Sequence, residues 1–202
     1  MIIAYLGFNG SGKTLGMTKA LEGYDTIFCN YGFVGSAGQK VCERVDCSQL
    51  FDVLRQYTDL LKKATGRATG GERIALAIDE AGLNFPARSW KNITKREAYL
   101  FSQHRKLGID FLYTAQNYKM VDSILRNNTA MCSYPRHFFS LFWESWYEGV
   151  EKARDMFLYR SIWWGSRYYH RYNTLEVVES TKFYEEGETS VKVDNWSEVF
   201  RE

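Results

Sequence analysis

Two rhythms of apolar residues alternate along the first two-thirds of this chain. Residues 2–6, 26–30, 74–78 and 109–114 are short, largely apolar runs, the pattern of strands buried on both faces in a parallel sheet. Between them the spacing changes to that of helices. Leu50, Leu54, Tyr57 and Leu61 fall on one face of a helix capped by Ser48 and ended by the three glycines of 65–71. A helix is predicted from about Gly12 to Leu21. Another begins at the capping-box pair Thr94 and Glu97 and stops at Gly108, where a left-handed residue suits a helix end. This alternation predicts an α/β fold with a mostly parallel central sheet and right-handed crossovers.

The rhythm is lost after Tyr134. Fourteen of the 39 residues from Tyr134 to Tyr172 are aromatic, and segments 136–146 and 163–178 read as strands, with 148–157 a helix or a long connection. The prediction is an aromatic-rich antiparallel extension, with 1–135 as core and 136–202 as an extension of the same domain.

Composition narrows the class. A chain of 202 residues with 45% hydrophobic content is globular rather than disordered. Its longest uninterrupted apolar run, 1–6, is far below the roughly 18 residues of a membrane span. No charged region precedes that run, so it does not read as a signal peptide. Four cysteines without CxxC spacing read as reduced thiols in a cytosolic setting. The net charge of +2 gives no bulk argument for nucleic acid. Locally, 87–136 carries nine basic and three acidic residues, and 173–202 three basic and eight acidic. Opposite charges of this kind steer partners or dock subunits, or are simply solvated surface.

The chemistry is concentrated in one loop. Gly7-Phe8-Asn9-Gly10-Ser11-Gly12-Lys13-Thr14 fits GxxxxGK[ST] and lies between a predicted strand and a predicted helix, the context that this phosphate-binding pattern requires. Glycines let successive N–H groups turn toward phosphates, and the helix N-terminus adds partial positive charge. Lys13 would reach the β- and γ-phosphates of ATP, and Thr14 would offer its hydroxyl to Mg²⁺. Asp79 and Glu80 follow the apolar strand 74–78, which delivers Asp79 to the ligand-binding end of the sheet. Asp79 would hold Mg²⁺ through water, while Glu80 polarises a water for attack on the γ-phosphate. Adjacent carboxylates also begin helices without any catalytic role.

Two rivals are weaker. Asp79 to Gly82 fits the DxxG of GTPases, but Asn92 to Lys95 lacks the spacing and the acid of a guanine-reading motif. A small nucleotide kinase fits by size, yet no arginine-rich lid is evident. Gln116, after the strand 109–114, is either structural or a sensor of the γ-phosphate. Arg105 and Arg126 either complement local structure or reach a neighbouring subunit's γ-phosphate as an arginine finger.

The order of these motifs resembles the zonular occludens toxin-like family, the assembly ATPases of filamentous phages, within the broader HerA/FtsK-like class of P-loop motors. Beyond the phosphate loop the resemblance rests on Ile78-Asp79-Glu80-Ala81, Phe85-Pro86-Ala87-Arg88-Ser89, Gln103-His104-Arg105-Lys106-Leu107-Gly108-Ile109-Asp110 and Thr114-Ala115-Gln116. Val121-Asp122, Leu125-Arg126 and Tyr172-Asn173-Thr174-Leu175-Glu176-Val177 extend it over nearly the whole chain. It implies a P-loop NTPase of RecA/FtsK-like fold in which Gly10 to Thr14 bind ATP, Asp79 handles Mg²⁺, Glu80 activates water and Gln116 is the sensor. It also implies a homo-oligomeric ring, a hexamer, completed by an arginine in trans. No counterpart of the membrane span and further domain of filamentous-phage members is expected within these 202 residues. A compact chain without a span is also similar to genome-packaging ATPases of membrane-containing tailless viruses.

The expectation is therefore a phage or viral motor ATPase that moves DNA by packaging or extrusion, in the infected cell's cytoplasm or at the assembly site. The alternatives are an ATP-gated assembly protein docking on a capsid or membrane partner, and the small kinase.

Overall fold

The computed structural model describes residues 1–44, 46–67, 69–87, 95–149, 156–172 and 193–200, with only the backbone of 95 and 96. Its strands are β1 (Ile2–Leu6), β2 (Thr26–Cys29), β3 (Lys40–Glu43), β4 (Ile74–Ile78), β5 (Ile109–Ala115), β6 (Met131–Phe138), β7 (Leu141–Glu148) and β8 (Phe157–Trp164). They form one eight-stranded sheet in the order β3-β2-β4-β5-β1-β6-β7-β8. Pairings from β3 through β6 are parallel, and β6-β7-β8 is an antiparallel meander.

Helices cover both faces of the parallel part because its strands are apolar on both. Ile3 and Tyr5 of β1 pack with Met17 and Leu21 of α1 (Lys13–Ala20) and its continuation on one face. Ile2, Ala4 and Leu6 join the other core, with Leu50, Val53 and Leu54 of α2 (Cys47–Thr65) and Leu100 and Phe101 of α4 (Lys95–Leu107). The short α3 (Ala81–Asn84) and α5 (Ser123–Asn128) lie between, and Leu125 of α5 joins the same core.

Several details differ from the sequence reading. Asp46, not Ser48, caps α2; its carboxylate accepts hydrogen bonds from both the backbone N–H and the hydroxyl of Ser48. A carboxylate two residues before Ser48 caps the helix at an earlier position, and the Ser48 N–H becomes one of the amides it satisfies. The edge strand β3 was not anticipated, because four residues with a lysine at the first position carry little pattern. Of the segment predicted as a strand over 163–178, the described residues 163–172 are strand only to Trp164; residues 165–171 form two 3-10 turns, and Tyr172 makes an isolated bridge to Phe33. Aromatic density there serves packing, as Trp163 and Tyr168 bury against Leu15 and Phe142. Thr94 of the expected capping box, most of 148–157 and the rest of 163–178 lie outside the described residues. All four cysteines are buried, and no disulfide joins them.

Candidate functional site

β5 lies between β1 and β4 in the sheet, so the loop after β1 and the acids after β4 meet across the tip of β5. Gly7, Gly10 and Gly12 have φ of 151°, 74° and 89°, in the region that side chains disfavour. Gly10 would meet nothing if it carried a Cβ, so the loop opens onto free space there. The Ser11 hydroxyl is buried without a partner among the described residues. A buried donor left waiting beside a glycine turn at a helix start fits an anionic guest. Lys13 is buried, and its Nζ donates to the Phe8 carbonyl at 3.3 Å.

The acids are held tightly. Thr14 Oγ1 donates to the Asp79 carboxylate at 3.0 and 3.2 Å, tying the phosphate loop to the end of β4. Thr114 of β5 also donates to Asp79, at 2.5 Å, while accepting the Glu80 backbone N–H at 2.9 Å. Asn30, buried just beyond β2, clamps the Asp79 peptide from behind: it accepts the N–H at 2.7 Å and donates to the carbonyl at 3.1 Å. Glu80 is thereby held in a left-handed conformation with φ of 48°, an uncommon state for a side-chain-bearing residue and one that clusters at functional sites.

Burial pushes the Asp79 carboxyl above its ordinary range, against the pull of Thr114, Thr14 and Lys13. Burial likewise raises Glu80; the Lys13 charge opposes this and the Asp79 charge adds to it. A Thr114→Val variant is expected to raise Asp79 further and to cost about 1–3 kcal/mol, because it removes a donor and leaves the Glu80 N–H without its acceptor. Carboxyl titration by NMR with denaturant unfolding checks this; unchanged values in both would contradict it.

The structure thus brings Gly7, Asn9, Gly10, Ser11, Gly12, Lys13, Thr14, Asp79 and Glu80 to one edge of the sheet. Gln116 also reaches this edge: Leu6 pairs with Ala115, and the Gly7 N–H donates to the Ala115 carbonyl, so exposed Gln116 sits beside the loop. Arg105 does not. It lies in the last turn of α4, just before β5 begins, and its neighbour His104 feels the charges of the amino terminus and Asp110 at the sheet's opposite end. Arg126 is half-buried on α5, the helix that leads to the start of β6.

Three participants were not anticipated. Thr114 was legible only as the last polar residue of a strand, and Asn30 only as the end of another. His137 of β6 carried no signal, yet its Nε2 lies 2.7 Å from the Gly10 carbonyl and its ring stacks on Phe142. The antiparallel extension is therefore braced directly against the phosphate loop.

The sequence model of the zonular occludens toxin (Zot) family matches residues 1–140. No curated protein sequence matches the chain. Among solved structures, the N-terminal domain of zonular occludens toxin from Neisseria meningitidis is similar at a TM-score of 0.57 and 18% identity, over 85% of this chain and 98% of that one. The genome packaging NTPase of Sulfolobus turreted icosahedral virus 2, in complex with ATP-gammaS, is similar at 0.52 and 16%, over 80% and 95%. The DNA-packaging ATPase of Sulfolobus turreted icosahedral virus follows at 0.51 and 15%, over 80% and 95%. These likenesses carry the expected fold, a P-loop NTPase sheet with antiparallel strands at the C-terminal side.

Proposed function

This chain belongs to the zonular occludens toxin (Zot) family, and from that premise we propose that it is a motor ATPase that moves DNA during phage or virus assembly. The observation that carries the reading is the direct hydrogen bond from Thr14 to Asp79, which joins a phosphate-binding loop to a strand-end carboxylate 65 residues away. The roles of two structural neighbours, genome packaging and DNA packaging, support the motor reading.

In this reading the N–H groups from Gly10 to Thr14 hold the phosphates and Lys13 balances their charge. The Thr14 hydroxyl and the Asp79 carboxylate are hard oxygen donors that suit Mg²⁺, which when bound would neutralise charge on the β- and γ-phosphates. Glu80 accepts a proton from water as the water oxygen bonds to the γ-phosphorus. The bond from that phosphorus to the bridging oxygen breaks, and ADP leaves. Gln116 orients the water or senses the γ-phosphate. Arg105 lies toward the opposite end of the sheet from its own loop, so a contact between it and a γ-phosphate would need a neighbouring subunit in a ring, in the proposal a hexamer. The same proposal places the protein in the host cytoplasm or at the assembly site; among the described residues no helix is long and apolar enough to cross a membrane.

Phosphate release from ATP, measured with and without DNA, tests the motor reading; DNA should stimulate turnover. A second reading, ATP-gated docking on a capsid or membrane partner, is favoured by the exposed rings of Phe138, Phe139 and Trp164. Nucleotide-dependent association without any response to DNA would select it.

A pH prediction follows from Glu80. Its carboxyl must be ionised to accept a proton, and its pKa is raised. Turnover is therefore lost, as pH falls, at values above the ordinary glutamate pKa of about 4.3. The acid limb of kcat/KM reports the coupled Asp79–Glu80 pair in the free enzyme; a limb at the ordinary value would contradict the assignment.

A further inference from the structure

The parallel part of the sheet is covered on both faces, but near the β6-β7 turn one face of the β6-β7-β8 meander is left uncovered by the described residues. One face packs on α1: Phe142 and Trp163 stack at 4.7 Å beside Leu15, and Glu144 pairs with Lys19. Residues that pair across strands share a face, so the opposite face follows from the register. Its row nearest the β6-β7 turn is Phe138, Leu141 and Trp164; the next is Arg136, Trp143 and Ile162; Arg160 stands in the third, opposite Ser145. Phe138, Ile162 and Trp164 are each more than 60% exposed, and Arg136 and Arg160 are exposed as well. No carboxylate lies on this face of the three strands.

We propose that this face binds single-stranded polynucleotide, with bases stacked on Trp143, Trp164 and Phe138 and phosphates paired with Arg136 and Arg160. Charge complementarity and exposed rings together favour this occupant. Two arginines without a carboxylate call for an anion. Cross-strand neighbours stand roughly 5 Å apart, so Arg136 stands beside Trp143 and Arg160 lies one row beyond that pair, spacings on the scale of a nucleotide. Every unpaired base has a face for such rings, whereas a duplex hides all but its ends. A lipid surface would favour cations at the rim rather than beside the central Trp143. An isologous contact between two copies would bring arginines together.

This inference deepens the motor reading and rests on it for the presence of nucleic acid, yet the two fail separately. The experiment titrates the tryptophan fluorescence of the full chain with oligo(dT), oligo(rU) and a DNA duplex, and adds anionic phosphatidylglycerol vesicles. Oligo(dT) should quench saturably, with affinity falling as salt rises, and the duplex should bind at least tenfold more weakly. Trp164→Ala should lose about tenfold in affinity, and Arg136→Glu with Arg160→Glu at least as much, while ATP-gammaS binding stays unchanged as the control for folding. Lys13→Ala should do the reverse. Equal quenching by oligo(rU) supports the same surface without sugar discrimination. Unchanged oligo(dT) affinity in both face variants, equal duplex binding, preferential binding to vesicles, or a wild-type particle mass that drops in the variants before nucleic acid is added would each overturn the proposal.

Discussion

Glu80→Gln is expected to lower ATP turnover by about 10²–10⁴-fold, the usual contribution of a positioned general base, while leaving nucleotide affinity close to that of the parent. The substitution keeps size and shape and removes only the ability to take a proton. The backbone that places residue 80 is held by others: its N–H by Thr114, and the preceding peptide by Asn30. The left-handed φ of 48° should therefore survive the change. Phosphate release measured beside ATP-gammaS affinity separates the two effects. Turnover within threefold of the parent would remove Glu80 from the chemistry; affinity and turnover falling together would make it a binding residue instead.

Gly12→Ala should be the most damaging single change in the phosphate loop. Two costs coincide there. The backbone has φ of 89°, which an alanine adopts only with strain. In addition, a Cβ on residue 12 would sit 2.4 Å from a ring carbon of Phe142. That ring cannot swing aside, because it is buried between His137 and Trp163, stacked on both. Strain and overpacking of this kind cost about 1–3 kcal/mol each, so a loss of about 2–6 kcal/mol is expected, with loss of ATP-gammaS binding. Trimming the ring in Gly12→Ala with Phe142→Leu should recover only the packing part, since the backbone strain remains. Thermal unfolding of the three proteins decides it. A single variant as stable as the parent would show that the loop can shift freely against the meander.

Much of the site was legible from local pattern. The phosphate loop, Asp79 and Glu80 are adjacent in sequence to the strands that deliver them, and a buried parallel strand announces itself by an apolar run. The aromatic extension was legible as a change of rhythm, and its antiparallel character follows from short connections between strands. Other parts were not. Asn30 and Thr114 act on Asp79 from strands 49 and 35 residues away, and either would read as an ordinary strand terminus. His137 reaches the Gly10 carbonyl across 127 residues. The register that gathers Arg136, Trp143 and Ile162 into one row depends on turns whose residues give no strong signal; the β6-β7 connection even places Phe139 at φ of 52° where Gly or Asn would be usual.

By itself the sequence determined the kind of sheet, the glycine loop proposed to hold a triphosphate and the two acids set against it, because strand burial, glycine turns and helix starts are consequences of neighbouring residues. Only the tertiary structure decided which side chains clamp Asp79, why Gly12 must lack a Cβ, where Arg105 lies relative to the loop, and which rings of the meander remain uncovered. Those outcomes depend on strand order and register, which are fixed by packing between distant segments and leave no trace in local spacing.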